Sequence, residues 1–282
     1  MLTDEVRLSA AGASSHESQM VAGFRRYWQQ LLADDRSSES LPWTEGCQLP
    51  FVSMLEKSIL DCGLSEPRLL EVGAGSATVS RLLARNLRGT FYALDILPEA
   101  VAVAGKALDN AQVSAVQLLV ADVHNAPFPN CAFDIVFSQG LIEHFTDPEG
   151  VFLSQAQLVK MGGQLVINVP QKYNPFTLYK HWRMRRGNWP PGWEREYSPR
   201  ELIALGRRLG FIACTVDGYG SFAGQVTTRL LRSVLSTTAL ASLSQSFDRP
   251  DRWLGGKLRS WLCPQLVVCF RKSLSDRNEA KV

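Results

Sequence analysis

"LLEVGAGSATVS", Leu69 to Ser80, is the stretch from which the fold of this chain is read. An apolar run ends in an acid, turns through Gly73 and Gly75, and resumes with helical spacing, because Val79, Leu82, Leu83 and Leu87 fall on one face. A strand that stops at glycines and continues as a helix exposes backbone N–H groups. Without Cβ atoms it also admits close approach by a nucleotide-like ligand.

Working outward, strand-like runs at Arg68–Val72, Thr90–Leu94, Val116–Val120, Phe133–Ser138 and Gly163–Val169 are separated by segments long enough for helices. That alternation means an α/β protein with a parallel sheet and crossover helices, and Pro98 starts one of these helices where its missing N–H costs nothing. Upstream, residues 1–19 read as a polar tail, Met20 to Asp35 carries helical periodicity, and a second helix is expected from Phe51 to Cys62. Near the end, "FIACTVDGYG" and "LVVCFRK" are two further strand-like runs.

The 282 residues are 45% hydrophobic and 20% charged, which suits one large globular domain with additions. A net charge of +3 is too small to indicate nucleic acid, so no DNA partner and no RNA partner is expected. The six cysteines are scattered without a C-x-x-C pair and read as small buried residues of a reducing compartment. With neither a signal-peptide pattern nor eighteen consecutive apolar residues, the expected location is cytoplasmic.

The glycine turn has two readings. A pyrophosphate loop wants a third glycine, and Thr78 follows Gly73 and Gly75 instead. Glu71 at the mouth suits an ammonium group better than phosphates. Asp95, closing "FYALDI", can accept both hydroxyls of a ribose, while Asp122 and Val123 after "LLVADV" can meet an adenine amino group and ring. Three acidic strand ends thus describe a ligand with amine, ribose and adenine. Asp95 capping the helix at Pro98, and Asp122 capping a loop, are the structural alternatives.

At this point the chain resembles the class I S-adenosylmethionine-dependent methyltransferases over roughly Phe51 to Lys272, through "LLEVGAGSA", "ALDI", "VADVHNAPFPNCAFDIVFSQGLIEHFTDP" and "GGQLVINVP". The resemblance implies a Rossmann-like three-layer sandwich with a seven-stranded, mostly parallel sheet whose last strand is antiparallel. It also implies S-adenosyl-L-methionine as cofactor, with Gly73 and Gly75 lining the methionine part, Glu71 holding the amino group, Asp95 the ribose, and Asp122 and Val123 the adenine. Ala74, Ile96, Ser138 and Gln139 are expected to join this set. Residues 1–66 then form a tail and helical cap, 67–170 the cofactor core, 171–200 an insertion, and 201–282 the rest of the core with a helical insertion near 221–262.

Methyl transfer in this family is a direct displacement, so the protein chiefly aligns the reactants and excludes water. A hydroxyl nucleophile also needs a base. His144, in "SQGLIEHF", is of the type that titrates near working pH, with Glu143 as its orienter or as a substrate contact; the alternative is an inert helix start. The same stretch resembles the ubiquinone-pathway O-methyltransferases, in which an acid three positions before the E-H pair helps hold a divalent cation. That position is Gly140 here, so no required metal is expected.

The insertion "QKYNPFTLYKHWRMRRGNWPPGWEREYSP" holds six Lys or Arg against two Glu, interleaved with aromatic residues. Tyr173, Arg186, Trp189 and Trp193 are expected to touch an acidic or aromatic small-molecule acceptor. Lys172 to Tyr197 and Phe24 to Trp28 are expected to close over that acceptor rather than over the cofactor. The expected activity is methylation of a small molecule in biosynthesis, O-methylation slightly ahead of N-methylation, by a monomer or homodimer. The alternatives are an NAD(P)-binding oxidoreductase and a cofactor-binding, inactive regulatory protein. Peripheral membrane contact through "RLLRSVL" and "WLGGKLRSWL" is the less favoured use of those arginine- and leucine-rich helices.

Overall fold

The computed structural model describes residues 15–33, 42–187, 194–220 and 255–272. Helices α1 (Ser15–Ala33) and α2 (Pro42–Asp61) precede a regular series: β1 (Arg68–Val72), α3 (Thr78–Asn86), β2 (Thr90–Asp95), α4 (Pro98–Asn110), β3 (Val116–Val120), β4 (Phe133–Gln139), α5 (Pro148–Gln157) and β5 (Val159–Pro170). There follow α6 (Pro175–Arg185), α7 (Pro199–Arg208), β6 (Phe211–Tyr219), α8 (Gly256–Leu262) and β7 (Gln265–Lys272). Single 3-10 turns cover Val123–Asn125 and Ile142–His144.

The seven strands lie in the order β3-β2-β1-β4-β5-β7-β6, with β1 to β5 paired in parallel and β7 antiparallel to both of its neighbours, β5 and β6. The seven-stranded sheet with one reversed strand is as expected. Strand order reverses between β1 and β4, and a crevice at the carboxyl ends of such strands is where α/β sheets receive ligands.

Side chains alternate between the two faces of a strand, and this sorts the core into two layers. Leu70, Val72, Val136 and Ile167 pack with Phe152 of α5 and Leu202 of α7. Leu69, Phe91, Ile135, Phe137 and Val166 pack with Phe51 and Leu55 of α2 and Leu83 of α3. Each large side chain so buried contributes about 1.5–3 kcal/mol. The same alternation puts Glu71 on the α3 side with Leu69, and Ser138 on the α5 side with Val136.

Three boundaries differ from the sequence reading by more than two residues. Helix α1 begins at Ser15, inside the expected polar tail, not at Met20. Helix α2 begins at Pro42, not Phe51, and runs through Pro50, which in sequence looks like a helix start. Strand β5 begins at Val159, not Gly163, because Val159 pairs with Phe133 before the register shifts and Gln164 pairs with Ile135. Of the expected helical insertion, residues 221–254 lie outside the described residues. Among the described residues no helix is long and apolar enough to cross a membrane.

Candidate active site

The glycine loop is held by backbone geometry and by two carboxylates. Gly73 (φ +69°) and Gly75 (φ +53°) both lie in the left-handed region, where glycine carries no steric cost. Ala77, the residue before α3, has no acceptor side chain to cap the helix. Glu71 takes that role from β1: its Oε2 accepts the Ser80 N–H at 3.0 Å, at the positive end of the helix dipole. Burial raises the Glu71 carboxyl to about 7, against the lowering effect of the Ser80 hydrogen bonds.

Asp95 closes the other side. Its Oδ2 accepts the Gly75 N–H at 2.9 Å and its Oδ1 the Leu97 N–H at 2.9 Å. Burial raises its pKa while the N–H groups of Leu97, Gly75 and Ile96 hold it down. Asp95 thus holds the N-cap residue Leu97 but gives α4 no side-chain cap; a carboxylate has about four acceptor sites, and two backbone bonds leave room for a diol. Asp122 Oδ1 likewise accepts the His124 N–H at 2.9 Å and caps the turn that carries buried Val123. The Ala74 N–H is bound by the Leu94 carbonyl, and half-buried Ile96 follows Asp95 on the same rim. Carboxylates and bare glycines at these strand ends suit an uncharged diol and an amine, whereas phosphates want cations.

Helix α1 lies across this rim. A Cβ on Gly75 would come within 2.9 Å of the Trp28 ring, and one on Gly73 within 2.8 Å of Leu141. The absent side chains thus make room for Trp28 and Leu141 as well as for a ligand. Gln29 Nε2 donates to Glu99 of α4 at 3.1 Å, Phe24 meets the His144 ring edge-on at 5.3 Å, and Glu17 accepts from the Thr146 N–H and hydroxyl. The expectation that this helix serves only the acceptor is corrected by the Trp28 contact, since α1 straddles the cofactor loop and the turn after β4.

Beyond β4 the polar groups are of another kind. Glu143 is 2% exposed, and its Oε2 has no hydrogen-bond partner. Burial lifts its carboxyl to about 8; Glu194 and Glu196 push the same way and Lys180 pulls it down. The Ser138 Oγ, the Tyr197 hydroxyl and the Gln171 Nε2, all on buried residues near the ends of β4 and β5, are likewise without partners. Gln171 and Tyr197 bridge in parallel, the Tyr197 N–H binds the Pro170 carbonyl, and the Arg195 N–H binds the Glu143 carbonyl at 2.9 Å. The Glu143 charge also helps to raise the buried Tyr197 hydroxyl to about 12. Next to Glu143, the buried Lys180 ammonium joins Glu194 at 2.8 Å and Glu196 at 2.5 Å.

His144, the expected base, is buried and its ring is packed against Phe24. Glu143, expected as its orienter, has the uncommitted oxygen. Gln139 looks away to the α2 side, where its Nε2 donates to Gln48 and to the Tyr219 hydroxyl. Of the expected substrate contacts, Tyr173 is 59% exposed and stacks on Trp261, and exposed Arg186 covers the Trp182 ring at 4.0 Å. Both are exposed, whereas α6 buries Thr177 and Lys180 and presents Leu178 and Trp182 to solvent. Trp189 and Trp193 lie outside the described residues. The sequence reading gave no individual role to Lys180, Glu194, Glu196 or Gln171, and placed Tyr197 only at the end of the expected lid. Its available signal was "EREY", in which Glu194 and Glu196 alternate with Arg195 on an extended segment. Among the described residues no set of three or more His, Cys, Asp or Glu is arranged to hold a metal ion.

Comparison with known proteins agrees with this geometry. Residues 70–167 match the family described as "Methyltransferase domain". A ubiquinone biosynthesis O-methyltransferase of Cereibacter sphaeroides is 26% identical over 185 residues, covering 58% of this chain and 70% of that protein. Among solved structures, a Galdieria sulphuraria protein described as a sarcosine dimethylglycine methyltransferase superposes with a TM-score of 0.57 at 17% identity, over 80% of this chain and 86% of that one. A Thermotoga maritima S-adenosylmethionine-dependent methyltransferase, described as a possible histamine N-methyltransferase, gives 0.56 at 16% identity, over 90% of this chain and 100% of that one. At such identities these structures establish the shared fold.

Proposed function

Because this chain is a class I S-adenosylmethionine-dependent methyltransferase, we propose that it methylates a small-molecule acceptor held beyond β4, with Glu143 as the group that takes the acceptor's proton. When bound, S-adenosylmethionine supplies an activated methyl on its sulfonium. Glu71, Gly73, Gly75, Asp95 and Asp122 are the residues that would hold it. Two positive-φ glycines, a carboxylate with spare lone pairs at the end of β2, and a third acid at the end of β3 fit its amine, ribose and adenine.

The observation that carries the acceptor reading is the Glu143 Oε2, buried and without a partner. A carboxyl lifted to about 8 by burial is matched to proton transfer near neutral pH, whereas an ordinary glutamate is too weak a base. The buried His144 ring packs edge-on against Phe24 of α1. Helix α1 and residues 171–187 and 194–197 exclude water from the displacement. The acidic-acceptor reading loses support, because Lys172 is paired with Glu201 and Lys180 with two carboxylates, while Arg186 sits on the outer face.

The test is to incubate the purified chain with S-adenosylmethionine and a panel of phenols, alcohols and amines, following S-adenosylhomocysteine and a gain of one methyl by mass spectrometry. Acceptor-dependent S-adenosylhomocysteine that falls at least a hundredfold in Glu143→Gln supports the proposal, general-base terms being typically about 10²–10⁴-fold. Cofactor binding without turnover on any acceptor favours the regulatory alternative.

A further inference from the structure

The charges buried around Glu143 are out of balance in a way that a ligand would correct. Among the described residues, Lys180 is the cation acting on Glu143, against two further carboxylates, Glu194 and Glu196. The Lys180 side chain is 2% exposed and those of Glu194 and Glu196 are 8% and 9% exposed, so water screens none of them well. His181, also bonded to Glu196, is half out in solvent, and exposed Arg195 lies over the Tyr197 ring at 5.1 Å. The Lys180 ammonium bonds Glu194 and Glu196 and acts on Glu143 only through space, so one cation faces three carboxylates. A buried carboxylate in that state is several kcal/mol out of balance unless it is protonated or paired.

Acidity alone would not make a site. The second observation is independent: the Tyr197 hydroxyl and the Gln171 Nε2, on residues 2% and 0% exposed that bridge to each other, have no hydrogen-bond partner; the hydroxyl can accept or donate and the amide nitrogen donates. Buried polar groups are nearly always satisfied, so an unpartnered hydroxyl close enough to feel the unpartnered Glu143 carboxyl calls for a ligand that reaches both. A carboxylated or phosphorylated acceptor would bring negative charge to Glu143, Glu194 and Glu196.

We propose that the acceptor is an organic amine, bound as its ammonium with Glu143 as counter-ion and with the Tyr197 hydroxyl accepting one of its remaining N–H groups. This rests on the methyltransferase reading and names the acceptor atom as nitrogen. The ammonium N–H bond breaks and its proton forms an O–H bond on Glu143 Oε2. The electron pair stays on nitrogen as a lone pair; with S-adenosylmethionine bound it would form the N–C bond to the methyl as the C–S bond breaks and its electron pair leaves on sulfur as the neutral thioether, and the carboxyl proton returns to water after product leaves. Glu194, Glu196 and Lys180 set the field in which this transfer runs.

The experiment uses the full chain at pH 7.5 and three probes of one shape, benzylamine, benzyl alcohol and benzoate, measured by calorimetry with and without S-adenosylhomocysteine. The expected result is at least tenfold tighter binding of benzylamine than of the other two, lost in Glu143→Gln with circular dichroism unchanged. Should that variant not fold, Tyr197→Phe, which keeps the ring, is expected to weaken benzylamine several-fold and leave benzyl alcohol within twofold. Equal or tighter binding of benzyl alcohol or benzoate overturns the proposal, as does a Glu143→Gln chain that keeps the amine preference. Failure of S-adenosylhomocysteine to bind while the amine preference persists would instead overturn the methyltransferase reading alone.

Discussion

The rim proposed for the cofactor and the interior proposed for the acceptor sit at the same end of one sheet, yet they are finished in opposite ways. At the rim, Glu71, Asp95 and Asp122 each accept a backbone N–H from the chain itself, so the loop is ordered before a ligand arrives. In the interior, Glu143, Ser138 and Tyr197 are buried with polar atoms that the chain does not satisfy. The difference teaches where each region's specificity comes from. The rim is a preorganised cradle whose ligand adds to existing hydrogen bonds, whereas the interior is completed by what binds there.

The largest effect that sharpens this contrast is on the ion cluster. Lys180→Met leaves Glu194 and Glu196 buried without their cation, and breaking a buried pair costs about 3–5 kcal/mol. Denaturant unfolding should show this loss; a change below about 1 kcal/mol would mean that the cluster is solvated and the interior is not built as described.

On the rim, Asp95→Ala removes the acceptor for Gly75 and Leu97 together with the expected ribose contact. Cofactor affinity should fall by about 1.5–3 kcal/mol, the range for hydrogen bonds to a charged group. Calorimetry with S-adenosylmethionine on a folded variant reads it directly, and unchanged affinity would erase the rim's assigned role.

A smaller effect comes from pH. Glu143 and Glu71 titrate in the fold at about 8 and about 7, above the ordinary glutamate value of 4.5. In that window the folded state holds more protons than the unfolded chain, so stability is full below pH 4.5 and declines as pH rises toward 8. Glu143→Gln removes one of the two contributors. The variant should lose less stability than the parent between pH 5 and 8, by on the order of 1–2 kcal/mol once water penetration is allowed for. Parallel stability curves for the two chains would contradict a buried, uncompensated Glu143, which feels Glu194, Glu196 and Lys180 in the fold.

The smallest effect concerns α1. Trp28→Ala opens the space over Gly75 and should weaken S-adenosylmethionine about fivefold, about 1 kcal/mol, with less effect on acceptor KM. The reverse pattern would return α1 to the acceptor alone.

These two regions also differ in how far they could be read from sequence. The rim is local: an apolar run, an acid and a glycine turn repeat in order, so Arg68–Val72 and Val116–Val120 are strands with the bounds read for them. Misread bounds have local causes too, since Pro50 imitates a helix start and Gly162 and Gly163 imitate a turn before β5. The interior is assembled from 138, 143, 171, 180 and 194–197, which no period or motif links. Six basic residues in the insertion suggested a receptor for anions, but a count of charges does not say which face they occupy. Lys180 turns inward to carboxylates, Arg186 turns outward to Trp182, and only packing decides between them.

The account's central claim is that Glu143 is a buried carboxyl left for a ligand to complete. Carbon-13 NMR of glutamate carboxyls, with Glu143→Gln to assign the signal, measures its protonation in the intact chain. The predicted result is a midpoint near 8 that drops when benzylamine binds. A midpoint in the usual glutamate range, or one indifferent to the amine, would contradict the claim.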